Sequence, residues 1–120
     1  EEFWQSLGSV VLRMSSEDHD KALALTSHLP HVASAAMAMG LSEKYFRLAG
    51  TGFLDSTRVA SGDPALWQQI LMLNRDNVLS ALEQYGTNLA AFHAAIRDRD
   101  GATLERFLTS AKKNRDALGS

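Results

Sequence analysis

The chain has 120 residues, 45% of them hydrophobic and 8% aromatic, which is the size and make-up of one globular domain with a real core. Twelve basic residues against fourteen acidic ones leave a formal charge of −2, which argues against a nucleic-acid or anionic-membrane surface, since either needs a concentrated basic face. With no Cys there is no disulfide and no cysteine chemistry, which fits a reducing, cytoplasmic compartment.

No apolar run is long enough to span a bilayer, and no signal peptide is recognisable. Residue 1 is Glu rather than Met, and the expectation is a piece of something longer. Phe3, Trp4 and Leu7 have helical spacing, with Gly8 suited to a helix C-terminus. Residues 9–14 are rich in β-branched and apolar side chains and read as a short strand. No later segment offers that strand a partner, so it is expected to be an orphan from a preceding domain.

From Met14 onward the chain reads as helix, which gives an all-α class. Ser16 is the expected N-cap, with Glu17 and Asp18 in the first turn where the helix dipole favours them. This helix should run to about Met39 and stop at Gly40. Pro30 lies inside it and cannot donate to the carbonyl of Thr26, so a kink or local unwinding is expected. A short helix over about 42–49 and a loop or short helix over 53–61 follow. Asp63-Pro64 then supplies an N-cap and first helical residue. From Leu66 to Ile96, apolar residues recur mostly at three- or four-residue steps, predicting one long helix over about 64–100. At 1.5 Å per residue it would be on the order of 50 Å long, more than one small core covers, and a second copy of the chain is the expected cover. A last helix is predicted over about 102–117.

Two segments carry the polar groups that matter. The first holds His19-Asp20 and then Ser27-His28-Leu29-Pro30-His31. On a regular helix Asp20 and His31 are about 20° from eclipsed, Ser27 lies near the same line, and His28 lies further round, where it would serve a different neighbour. A buried His31 satisfied by Asp20 or Ser27 is the plain structural alternative. His93, alone on the long helix, reads as structural or surface. The second segment is Gly52-Phe53-Leu54-Asp55-Ser56-Thr57-Arg58-Val59-Ala60. Its guanidinium suits a carboxylate; the alternative is a surface pair with Asp55. Trp67, by itself, reads as a core tryptophan. A metal site at His19, Asp20, His28 and His31 is the competing reading, but the spacing matches no standard pattern, so no metal is expected.

These motifs, extended by Asp63-Pro64-x-x-Trp67 and Asn74, resemble the C-terminal helical domain of prephenate/arogenate dehydrogenases over essentially the whole chain. The resemblance implies residues 1–14 as the end of a dinucleotide-binding domain and 15–120 as a helical dimerisation and substrate-binding domain. It implies oxidative decarboxylation of prephenate or arogenate with NAD or NADP in tyrosine biosynthesis, with the cofactor and the catalytic histidine belonging to the N-terminal domain. No Gly-x-Gly-x-x-Gly occurs here, so 1–120 alone should be inactive and hold no cofactor. By resemblance, Arg58 binds a substrate carboxylate, His31 and His28 line the pocket, and Asp20 joins its polar network. Thr51-Gly52 approaches the partner subunit's site, and Trp67 is a pocket-wall or interface aromatic. The family often has glycine where Thr51 stands and a basic residue where Leu54 stands. The rival functions are a helical homodimerisation module without a ligand and a metal-binding helical hydrolase.

Overall fold

The computed structural model describes residues 2–4 and 11–119, with side chains from Met14 onward. A two-stranded antiparallel hairpin comes first: β1 (Glu2–Trp4) pairs with β2 (Val11–Arg13), with Phe3 opposite Leu12. This corrects two expectations. Phe3 and Trp4 are in a strand, not a helix, and β2 is not an orphan, because β1 satisfies one of its edges. Two or three apolar positions cannot separate a period of 3.6 from one of 2, and both aromatics favour strands. Leu7, Gly8, Ser9 and Val10 lie outside the described residues.

Helix α1 (Ser16–Leu23) is capped one residue earlier than expected: the Ser15 hydroxyl accepts from the Asp18 N–H at 3.1 Å. The chain continues without interruption through a π-helical turn (Ala24–His28) into α2 (Leu29–Met39), which ends at Gly40. Pro30 explains the turn. Its missing N–H leaves the Thr26 carbonyl without the usual partner, and Leu29 N–H reaches five residues back to Ala24. A 3₁₀ turn (Glu43–Leu48), α3 (Thr51–Thr57) and a second 3₁₀ turn (Arg58–Ser61) lie across 43–61, the last two packed against α2.

Asp63 caps α4 (Pro64–Leu73), accepting from Ala65 N–H at 3.3 Å, with Pro64 at the first helical position as expected. The long helix predicted over 64–100 is in fact two. Asn74 leaves the helical region (φ −113°, ψ 32°), and α5 (Arg75–Arg97) begins after it. The apolar period runs straight through this break, so spacing could not reveal it. Helix α6 (Gly101–Ala117) closes the chain, with Asp100 accepting from Thr103 N–H at 3.1 Å.

The chain divides into two compact units, residues 1–82 and 83–120, with α5 running through the boundary. In the first, Ala24, Val78 and Ala81 are buried, with Leu29, Leu71 and Leu82 packed on them. The core residues are small because the helices approach closely there. In the second, Phe92 of α5 and Phe107 of α6 meet with ring centroids 5.4 Å apart at 56°, and Ala95 is buried.

Candidate functional site

The π turn and Pro30 determine how the two histidines are presented. His28 ends the π turn and His31 sits in the first turn of α2, three residues on and on the same side of the helix. Both are buried, at 7% and 9% exposure. Both meet Trp67. The cap at Asp63 puts Trp67 in the first turn of α4, and its indole folds back toward the helix N-terminus as helical side chains do. His31 stacks on that indole with centroids 3.8 Å apart and planes 14° from parallel. His28 stands edge-on to it, 6.2 Å away at 82°. The expectation that His28 serves a different neighbour from His31 is thus half right: the rings share Trp67, and His28 alone also reaches Asn74.

Asn74 is the polar hub. Its Nδ2 donates to the backbone carbonyl of Asp20 at 2.8 Å and lies 3.2 Å from Nδ1 of His28. Its Oδ1 accepts from Asn77 Nδ2 at 2.9 Å. Asp20 therefore enters the network through its main chain. Its carboxylate is exposed and lies 4.0 Å from His19, not against His31. A cleft of about 320 Å³ opens here, lined by Asp20, Leu23, His28, Ile70, Leu73 and Asn74.

Gly62 closes the other side of the stacked pair. A Cβ there would lie 2.9 Å from Trp67 Nε1 and 3.1 Å from His31 Cε1, so only a glycine lets this backbone approach the rings without a shift. Four residues earlier, Arg58 opens the 3₁₀ turn that packs against α2. It is exposed, and its guanidinium has no ion-pair partner among the described residues, Asp55 included. The surface-pair alternative for Arg58 is not what the structure contains. Ser34 Oγ donates to the Ser56 carbonyl at 2.6 Å and ties α2 to α3 just before this segment.

Thr51 and Gly52 begin α3. Both are exposed, and a Cβ on Gly52 would meet nothing within 4 Å. Neither makes a hydrogen bond or ring contact with the histidine–tryptophan group among the described residues. His93 is exposed on α5. Among the described residues no three of His, Cys, Asp and Glu converge as a metal ion would require, and no helix is long and apolar enough to cross a membrane. Sequence reasoning missed the part played by Gly62, which precedes an ordinary helix cap and carries no signal of its own. It also gave Asn74 no role, since nothing local shows that its amide spans 54 residues to Asp20.

A buried imidazole stacked on an indole, a second imidazole held by an amide, and an unpaired guanidinium on a turn packed against the same helix are groups of the kind that bind a small carboxylate. The rings give a flat wall, the imidazoles give hydrogen bonds, and the arginine gives a fork for a carboxylate.

Comparison with known proteins bears on the same residues. A family model described as "Prephenate dehydrogenase, dimerization domain" matches residues 15–110. A cyclohexadienyl dehydrogenase of Zymomonas mobilis is 36% identical over 124 aligned positions, covering 98% of this chain and 42% of that protein. The crystal structure of Synechocystis arogenate dehydrogenase superposes with a TM-score of 0.82 at 30% identity, covering 88% of this chain and 41% of the other. A prephenate dehydrogenase from A. aeolicus, crystallised with hydroxyphenyl propionate and NAD+, gives 0.80 at 32% identity, over 92% and 41%. The chain spans about two-fifths of the length of each of these relatives.

Proposed function

Because this chain belongs to the prephenate dehydrogenase dimerization-domain family, we propose that it is the substrate-holding and dimer-forming part of an NAD- or NADP-dependent prephenate or arogenate dehydrogenase of the cytoplasm. The observation that carries the reading is the His31–Trp67 stack with His28 edge-on beside it, next to the turn that presents an unpaired Arg58.

The substrate of such an enzyme carries a ring carboxylate that is lost as CO₂. Prephenate also bears a second carboxylate on its side chain. Hydride leaves the ring, the C–CO₂ bond breaks, and its electron pair completes the aromatic ring. The nicotinamide cofactor supplies the hydride acceptor. The described residues have only helices and one antiparallel hairpin, and the sequence has no Gly-x-Gly-x-x-Gly, so this chain does not fit a dinucleotide. We assign the cofactor and the hydride-transfer residues to the part of the protein that the relatives have and this chain lacks, with residues 1–14 at the junction.

What this chain supplies is position. Arg58 grips a carboxylate through two parallel N–H bonds, and His28 and His31 bond the remaining oxygens against the flat indole. Asp20 anchors the network through its carbonyl, and Thr51-Gly52 faces the neighbouring subunit's site. Exposed Leu66, Met72, Leu73, Leu79, Leu89 and Ile96 on α4 and α5 supply the apolar surface for a homodimer. Light scattering of the purified chain should give twice the monomer mass.

Arg58→Ala in the full-length enzyme is the test. Removing one partner of a charge-paired contact should cost ~2–4 kcal/mol of substrate binding, a rise in KM of roughly 30- to 700-fold. Arg58→Lys should recover only part of it, because a point charge lacks the planar fork. NAD affinity and melting temperature should hold. An unchanged KM, or an unfolded variant, would overturn the assignment.

A further inference from the structure

Asn74 carries more than a packing role. A backbone carbonyl can only accept, so the amide face toward Asp20 must be the NH₂. The opposite face accepts from Asn77, in keeping with that orientation. The NH₂ group has two hydrogens. One goes to Asp20, and the second is the hydrogen left for the 3.2 Å contact with His28 Nδ1. Nδ1 must then be an acceptor, which puts the proton of the neutral ring on Nε2.

Nε2 itself has no hydrogen-bond partner among the described residues. No buried side-chain nitrogen or oxygen there lacks a partner, so Nε2 must reach solvent although the residue as a whole is only 7% exposed. The imidazole is held at one nitrogen and open at the other, with its plane fixed edge-on to Trp67.

We infer that Asn74 is a positioning residue that locks His28 in its Nε2–H tautomer, so that His28 enters the site as a hydrogen-bond donor to an oxygen of a bound carboxylate rather than as a base. The tautomer follows from the chain alone. The identity of the acceptor rests on the proposed function.

Two measurements test this. The first is the two-bond ¹H–¹⁵N correlation pattern of His28 in histidine-labelled protein in mildly alkaline solution. Nε2 should be protonated and Nδ1 bare, and Asn74→Asp, whose carboxylate can only accept, should reverse the pattern. A wild-type ring protonated on Nδ1 overturns the proposal whether or not the variant folds. A folded Asn74→Asp that leaves the tautomer unchanged overturns it as well.

The second measurement is kinetic, in the full-length enzyme with prephenate. Asn74→Asp should raise KM by roughly tenfold, the worth of a lost hydrogen bond to a charged group, with a smaller change in kcat. In a His28→Gln background, whose amide keeps a donor near the place of Nε2, Asn74→Asp should add nothing. A merely structural Asn74 would cost the same in both backgrounds, and that result overturns the proposal. If the tautomer reverses while KM stays fixed, the donor role toward substrate is overturned. An unchanged KM in Arg58→Ala would instead indict the functional reading.

Discussion

Residues 14–82 and 83–119 hold their polar side chains by opposite means. In the first region the decisive contacts span the chain: Asn74 to Asp20 across 54 positions, Asn74 to His28 across 46, and Ser34 to Ser56 across 22. In the second, the polar contacts among the described residues stay within four positions, as in Arg97–Asp98, Thr87–Glu83, Asp100–Thr103 and Lys112–Asp116. Local pairs on exposed helix surface are worth little and fix nothing beyond their own turn. Long-range contacts to buried groups fix the angle at which one element meets another, which is what a binding site requires. The difference is what supports placing the proposed site in the first region.

The sharpest way to break this contrast is at Gly62. A methyl group there would press on Trp67 and His31 at 2.9–3.1 Å, and neither ring can turn aside while they stay stacked. Gly62→Ala should lose about 1–3 kcal/mol of stability by overpacking, measured by urea denaturation, and should raise KM in the full-length enzyme. Its backbone (φ −61°, ψ 161°) suits any residue, so the loss would report crowding and not conformation. Full stability in Gly62→Ala would mean that the ring pair is looser than the structure has it.

What was legible in the sequence follows the same division. Elements set by neighbours within a turn or two were readable: the stop at Gly40, the disturbance before Pro30, the Asp63-Pro64 start, and the last helix. The break at Asn74 was not, because Leu73 and Val78 keep the helical period and the amide that stabilises the break reaches a residue on another helix. Of the hairpin, the second strand was readable and the first was not, because two or three apolar positions do not separate a helical period from a strand's. Among the proposed site residues, His28 and His31 stood out by type and clustering, Trp67 entered by resemblance alone, and the three rings do meet. The route of Asp20 into the network through its carbonyl could not be read from a side-chain pattern at all.

A paired deletion sharpens the comparison. Ser34 is 7% exposed and its hydroxyl holds α3 to α2, so Ser34→Ala should cost about 1 kcal/mol. Thr87 spends the same chemistry on the Glu83 carbonyl of its own helix at 3.1 Å, in solvent. Thr87→Ala removes a bond that competes with the helix and improves helix propensity, so it should be neutral or stabilise by roughly 0.5 kcal/mol. Chemical denaturation of the two variants side by side gives the sign. Equal losses would erase the distinction between the regions.

Arg99 marks a local strain in the second region. It follows α5 with φ 56°, the left-handed conformation, while Asp100 N–H reaches the Ala95 carbonyl at 2.8 Å and Arg99 N–H the Ile96 carbonyl at 3.2 Å. This is the helix-ending arrangement that glycine occupies best. Arg99→Gly relieves the side-chain clash but frees the unfolded chain, so a net gain of about 0.5–1 kcal/mol is expected. A melting temperature at or below that of the parent would show that the arginine side chain contributes a contact of its own.

The smallest expected effect is acid sensitivity at the same corner. The Arg97 guanidinium bonded to Asp98 holds that carboxyl below the ordinary value of 3.8. The bonds from Thr103 do the same for Asp100, which caps α6. For a carboxyl whose folded pKa is depressed, the unfolded chain takes up the proton first as the pH falls. The stabilisation is therefore complete above the ordinary carboxylate value and is lost as the pH drops through the lower, folded values. Both groups are exposed, so the contribution is small and screened by salt. Asp98→Asn with Asp100→Asn removes the titration while asparagine keeps a serviceable cap. The fall in melting temperature between neutral and strongly acid solution should be slightly smaller in the double variant than in the parent, and the gap should narrow as salt is added. The same fall in both proteins would mean that the corner between α5 and α6 draws nothing from these charges, leaving its stability to the cap geometry and the Phe92–Phe107 contact.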